Sequence, residues 1–447
     1  MRDNRLVTQP IPQLLKELAI PASTGILFNT LYNVVDTFYA GLISTEAVAG
    51  LSVSFFLYFA VVGVGFGFGS AITALIGNAL GKKRPFLATL YAHKGLVFVV
   101  VLGSVLALLG AWSAPWVLRA LGAQENYLPL ALAYIQTILV ATPLFMGTYA
   151  LNAILVALGD TKTYRNMLIV GFFLNLMLNP LFIYGFGPLP ALGIRGIALA
   201  TVCIQGVSVV YLALKVRQAG MLQWQCPRLF LPDFRIYRTF LSQGLPPSLN
   251  MLTMSMGSVI TIYYVAQYGY QAVAGYGIAF RVEQIMLLPA LGISSAVLSL
   301  VSNNFGAKQY ARVKETVVLA LKYGFAICAL GVVLGYTVGE WVVSRFDATP
   351  AVVEYAMTYL YIEVFIFFGY VILFICVSTM QGIKQPKVIV AVGLYRQIFA
   401  KIALFSIIVT WLQMPYVAIW IGFFFIVYSA AGFMGWVTYR ALSGRVV

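Results

Sequence analysis

Long apolar stretches recur along the chain with short polar segments between them, and each is long enough for the roughly 20 residues a helix needs to cross a bilayer. Twelve are predicted, at about 15–40, 47–79, 88–118, 128–158, 165–187, 190–216, 237–267, 271–303, 313–343, 350–381, 386–411 and 415–441. The pattern also repeats itself. EAVAG at 46–50 returns as QAVAG at 271–275, and the same offset of 225 residues pairs Pro21 with Pro246, Gly67 with Gly292, Ser70 with Ser295, Asn78 with Asn303, Gly81 with Gly306 and Lys83 with Lys308. Of the 38 positions from 46 to 83, 12 are identical to their partners, where shared apolar letters alone give roughly 4. An even number of spans in each copy makes both copies begin and end on the same side, so the repeats are parallel. The expected fold is an all-α polytopic membrane protein: 12 transmembrane helices in two pseudo-symmetric six-helix lobes, residues 1–225 and 226–447. The polar stretch 218–236 joins them.

Composition supports lipid as the solvent, since 61% of residues are hydrophobic and 9% charged. Lys and Arg fall mostly in alternate connections, among them Arg2, Lys82 to Arg84, Lys162, Arg235, Lys308, Lys384 and Arg445. By the positive-inside rule both termini are then expected to face the cytoplasm. The same distribution accounts for the net charge of +15 and removes the case for a nucleic-acid partner. Residues 1–18 are polar and unlike a cleavable signal, so the first span is expected to persist as a helix. Cys203, Cys226, Cys328 and Cys376 have no metal-ligand spacing. A single His93 beside Lys94, with no nucleophile elbow and no Walker loop, leaves no enzyme constellation and no ATP site. Neither a cofactor nor a resident metal is expected, and any work must draw on an ion gradient.

Ionisable residues inside spans need a reason, because each costs at least a few kcal/mol in hydrocarbon. Asp36 lies deep in the first span, in FNTLYNVVDTFYAG, where helical spacing sets Asn29, Tyr32, Asn33 and Asp36 along one stripe. A lone carboxylate there is a candidate proton carrier. Its repeat partner is Thr261, so the coupling chemistry belongs to the first half. In the fifth span Asn175 and Asn179 stand one turn apart and Pro180 follows, which frees a carbonyl one turn earlier as a candidate ion ligand. Asn152 in the fourth span is a further candidate. In the second half, Arg281, Glu283, Glu363, Arg396 and Lys401 are expected to neutralise one another in an ion-pair network, with Glu363 the candidate for contact with a cationic substrate. The 31 Phe, 27 Tyr and 13 Met supply faces suited to flat lipophilic cations.

Pro21, LYNVVDTFYAG, GNALGKK with its echo SNNFGAK, LGDTKT and NLMLNPLFIYG together resemble the multidrug and toxic compound extrusion (MATE) family. The ELAIP opening and GLYRQ at 393–397 are most similar to its DinF-like prokaryotic branch. The resemblance implies a V-shaped pair of six-helix lobes that exports drug-like organic cations by antiport with H+, as a monomer among membrane lipids. It also implies roles: Asp36 as the cation-coupling carboxylate, Asn175 as its hydrogen-bonding partner, Pro21 as the point where the first helix bends, and Asn152 and Thr201 as completing a polar pocket. DinF-like members often carry a second acid where this chain has Asn179. One carboxylate instead of two favours H+ over Na+, since hard cations prefer anionic oxygens. Two alternatives remain: a Na+-coupled antiporter using Asp36, Asn175 and Asn179, and a flippase for lipid-linked precursors from the same superfamily.

Overall fold

The computed structural model describes residues 4–187, 190–223 and 227–444. Cys226, Arg2 and Arg445 lie outside the described residues. Every apolar stretch forms a helix: α1 Ile11–Ile43, α2 Thr45–Gly81, α3 Pro85–Ala120, α4 Leu128–Val140 with Thr142–Ala157, α5 Lys162–Tyr184, α6 Ile194–Gln218, α7 Phe234–Val265, α8 Tyr270–Gly306, α9 Tyr310–Thr337, α10 Pro350–Gly382, α11 Lys387–Trp411 and α12 Val417–Ser443. Eleven of these are long and apolar enough to cross a membrane, and the two pieces of α4, bent by 49°, together make the twelfth span. The bend falls at Ala141 and Thr142, just ahead of Pro143, whose missing N–H breaks the backbone ladder.

Local signals start and stop the helices. Ser44 caps α2 by accepting from Ala47 N at 3.0 Å, and Pro85 and Pro350 open α3 and α10. The repeat is visible in the backbone too. Lys83 and Lys308, partners at the 225-residue offset, both take left-handed conformations at φ 55° and 62°. Each closes the turn after its helix through matching bonds, Arg84 N to Ala79 O and Gln309 N to Asn304 O. The ninth span is shorter than the sequence pattern suggests. It stops at Thr337, and Gly339–Phe346 forms a separate helix carrying Glu340 and Arg345, charges that hydrocarbon excludes; the Arg345 guanidinium instead sits 5.1 Å from the Trp341 ring centroid. Asp347 then accepts from Thr349 N at 2.8 Å, which holds its exposed carboxyl below the ordinary value.

The chain divides into two compact units, Thr24–Met251 and Met1–Ser23 with Leu252–Val447. The division therefore falls within α1 and α7 and not at the polar connection near 225. Packing explains why. In the first unit the Gly67 position of α2 meets the backbone of Ser248 on α7, so close that a Cβ would lie 2.4 Å from Ser248 N. In the second unit Gly292 of α8 meets Ser23 of α1, where a Cβ would lie 2.8 Å from Ser23 N and 2.7 Å from Ala19 O. Gly67 and Gly292 are repeat partners, and so are Ser23 and Ser248. Small residues let these helix backbones touch, the usual basis of packing in lipid.

The segments preceding α1 and α7 are tied down in the same way. In the second unit Asn304 Nδ2 donates to Leu6 O at 3.0 Å and Arg312 Nη2 to Gln9 O at 2.6 Å, fixing the short helix Arg5–Thr8. In the first unit Gln223 N donates to His93 Nε2 at 2.9 Å, while Lys94 Nζ donates to the carbonyls of Arg228 and Leu231. His93 and Lys94 are thus anchors for the connecting segment.

Candidate functional site

Within the unit Thr24–Met251, Asp36 is 3% exposed on α1 and faces α5 and α6. Its Oδ1 accepts from Asn175 Nδ2 at 2.8 Å and from Asn179 Nδ2 at 3.0 Å. Its Oδ2 accepts from Thr201 Oγ1 at 3.4 Å, and Thr201 in turn accepts from the Tyr32 hydroxyl at 2.9 Å. The spacing of four between Asn175 and Asn179 places both amides on one face of α5, and Tyr32 and Asp36 share a face of α1 for the same reason. Among the described residues no basic side chain bonds Asp36. Neutral donors alone hold the carboxylate, and the Oδ1 atoms of Asn175 and Asn179 are buried without a hydrogen-bond partner.

The predicted polar stripe divides in two. Asn33 donates to Asn29 O at 3.1 Å along its own helix, and Asn29 is exposed, so neither reaches Asp36. Asn152 also makes no bond to the cluster, and its Oδ1 is buried without a partner. Pro180 does free the carbonyl four residues back, that of Leu176. This carbonyl is not left open as an ion ligand, because the Tyr39 hydroxyl of α1 donates to it at 3.1 Å. Tyr39 is marked in the sequence only by its position one turn beyond Asp36 on the same helix. Pro21 lies inside the continuous α1, two residues before the chain passes from one unit to the other.

In the second unit Glu283, Glu363, Arg396 and Lys401 are all buried, while Arg281 is exposed. The expected ion-pair network does not form: among the described residues none of these five has an opposite charge within 4.0 Å. Instead the Tyr359 hydroxyl donates to Glu283, and Lys401 Nζ donates to Gly257 O at 3.1 Å and Thr261 Oγ1 at 2.9 Å. The span α11 permits this through two π-helical segments, Tyr395–Phe399 and Ser406–Trp411, which flank Lys401. Such segments are frequent at functional sites. Glu363 belongs to this cluster and to a different unit from Asp36. No group of three or more His, Cys, Asp or Glu suited to a metal occurs among the described residues.

Comparison with known proteins agrees with this architecture. The MatE family pattern matches residues 21–181 and 246–412, once in each half. The chain is 25% identical over 409 residues, 90% of each protein, to a Shewanella oneidensis protein named FAD transporter. It is 30% identical over 307 residues, 68% of this chain and 66% of the other, to the Bacillus subtilis "Probable multidrug resistance protein YoeA". A solved structure of a multidrug resistance MATE family transporter in an outward-facing conformation superposes with a TM-score of 0.91 at 21% identity, over 100% of this chain and 99% of that one.

Proposed function

The chain belongs to the MatE family of membrane transporters, and from that premise we propose that it exports lipophilic organic cations in exchange for H+, with Asp36 carrying the proton. The observation behind this reading is a buried acid whose partners among the described residues are all neutral donors. Ionised, Asp36 accepts from Asn175, Asn179 and Thr201. A proton on Oδ2 makes that oxygen a donor to Thr201 Oγ1 while Oδ1 still accepts from Asn175 and Asn179, so the Thr201 hydroxyl hydrogen, which now points at Asp36, must turn away.

The change reaches α1 directly. Tyr32 ties that helix to Thr201, so the turn of the Thr201 hydroxyl acts on this tie, while Tyr39 holds α1 to the Leu176 carbonyl. Bending at Pro21, next to the point where α1 leaves one unit for the other, then releases the bound cation. An organic cation and a proton compete for one negative charge, which is the basis of exchange. Exchange of one monovalent cation for one proton moves no net charge, so the pH difference drives it, at about 1.4 kcal/mol per unit.

The unpartnered amide oxygens also suit Na+, but a single carboxylate is a weak set for a hard cation. A bacterial plasma membrane with both termini cytoplasmic, and a monomeric state, complete the proposal. Ethidium efflux from proteoliposomes under an imposed pH gradient, and separately under a Na+ gradient, tests it. Efflux driven by the pH gradient is expected. Efflux driven by Na+ alone refutes proton coupling, and none under either gradient refutes drug export and favours a lipid-linked precursor as cargo.

A further inference from the structure

The repeat sets the Asp36 position of the first unit against Thr261 in the second. In the first unit a side chain from α5, the fifth span of its half, donates to Asp36. In the second unit the donor to Thr261 comes from α11, the fifth span of the other half, and it is Lys401. An acid with amide donors in one unit is therefore matched by a hydroxyl with an ammonium donor in the other. The polarity of the equivalent position is reversed.

Around Lys401 the cluster has open hydrogen-bonding capacity of both kinds. Arg396 is 5% exposed, its guanidinium lies 5.4 Å from the Tyr370 ring centroid, and its Nη1 is buried without a partner. Glu363 is fully buried, and neither carboxylate oxygen has a partner. Glu283 is occupied by Tyr359. All four charged groups interact electrostatically without pairing directly. Buried polar atoms are rarely left unsatisfied, and orphaned ones in a transporter lobe point to a ligand. Aromatic rings surround the cluster: Tyr276 stacks on Trp420 at 5.3 Å, Tyr359 meets Trp420 at 4.4 Å, and Phe423 lies under Lys401 at 4.6 Å. At Gly257 a Cβ would fall 2.3 Å from Gln397 Oε1, so α7 and α11 approach closely here and a larger residue would force the Gln397 side chain to turn.

We propose that the buried cluster of Thr261, Glu363, Arg396 and Lys401 is a substrate subsite for an amphoteric aromatic solute, with Arg396 and Lys401 taking its phosphate or carboxylate and Glu363 taking an N–H or O–H donor. The proposal rests on the export reading and extends its substrate class beyond simple cations. An ammonium beside a guanidinium gives oxyanion recognition by charge-assisted bonds. The rings give the cluster an aromatic surround compatible with a flat, apolar framework.

FMN and riboflavin share one ring system with an N–H donor and differ by a phosphate, so the pair isolates the acidic group. Binding of each to the purified full-length protein is read by flavin fluorescence. FMN is expected to bind about tenfold or more tightly than riboflavin, and Arg396→Gln and Lys401→Met each to lose about 10- to 100-fold in FMN affinity, the worth of a hydrogen bond to a charged group. Lys401→Arg should retain FMN binding. Equal affinity for the two flavins in the unsubstituted protein overturns the inference without any variant having to fold, as does failure to bind either; unchanged FMN affinity in both variants overturns it as well. Rhodamine 6G efflux by the same preparations separates this from export itself. Efflux present with no FMN preference sinks the subsite alone, whereas FMN preference with no rhodamine efflux sinks the cation-export reading and leaves the subsite standing.

Discussion

Replacing Asp36 by Asn changes charge with almost no change in shape, and the structure allows its consequences to be worked through. The amide oxygen can accept from Asn175 Nδ2 and Asn179 Nδ2 as Oδ1 does now, at 2.8 and 3.0 Å. The new NH2 falls where Oδ2 faces the Thr201 hydroxyl at 3.4 Å, and that oxygen can accept from it. Bonds to a neutral acceptor are weaker than those to a carboxylate, but the cost of burying a charge also disappears, so stability should change by about 1 kcal/mol in either direction. Coupling, by contrast, is lost entirely. One proton exchanged for one monovalent cation moves no net charge, so the pH difference drives the exchange, and one pH unit supplies about 1.4 kcal/mol, enough to hold about a tenfold gradient of the cation. In proteoliposomes carrying a pH difference of about one unit and clamped at zero membrane potential, Asp36→Asn should fold and elute like the unsubstituted protein yet let the rhodamine 6G gradient fall toward unity. A variant that still builds a gradient approaching tenfold would show that Asp36 is not the coupling group.

Other consequences concern the scaffold. Gly67→Ala and Gly292→Ala drive a methyl into the backbones at Ser248 and Ser23, at a cost of about 1–3 kcal/mol each; thermal melting in detergent should register both, whereas Gly432→Ala, with nothing within 4 Å of its Cβ, should melt no lower than the unsubstituted protein. Tyr39→Phe leaves the carbonyl that Pro180 has already freed at Leu176 without its donor, a loss of about 1–3 kcal/mol that the same melting assay should detect. Arg312→Ala removes donors to Gln9 O and Asn304 Oδ1, so limited proteolysis should cut the first ten residues faster while leaving the helices intact.

How much of this was readable in the amino-acid order follows from the range of the forces involved. The spans were, because a bilayer demands long apolar runs and the chain supplies them with caps and prolines at their ends. The internal repeat was too, since it is a property of the letters. Asp36 stood out as a charge in hydrocarbon, and Asn175 and Asn179 as two amides one turn apart, so three members of the buried cluster were visible as candidates. Their meeting at one carboxylate oxygen was not, because 139 residues separate Asn175 from Asp36 and only packing brings α5 against α1.

Where sequence and structure differ, a long-range contact decided the matter. Helical spacing put Asn33 beside Asp36, yet Asn33 had a nearer acceptor on its own helix. A proline frees a carbonyl by local chemistry alone, but only the approach of Tyr39 determined that it would be occupied. Counting charges suggested that Glu283, Glu363, Arg396 and Lys401 would pair, whereas their actual separations leave Lys401 on a hydroxyl and Arg396 with an open donor. The polar connection near 225 looked like the seam between halves, while the glycine–serine crossings draw the first part of α1 and of α7 into the unit formed by the other half. Composition, periodicity and repeat thus fixed the helices, their number and the residues worth suspecting. Which suspects touch depends on helix-to-helix distances of a few ångströms, and those are set by side chains far apart in the chain.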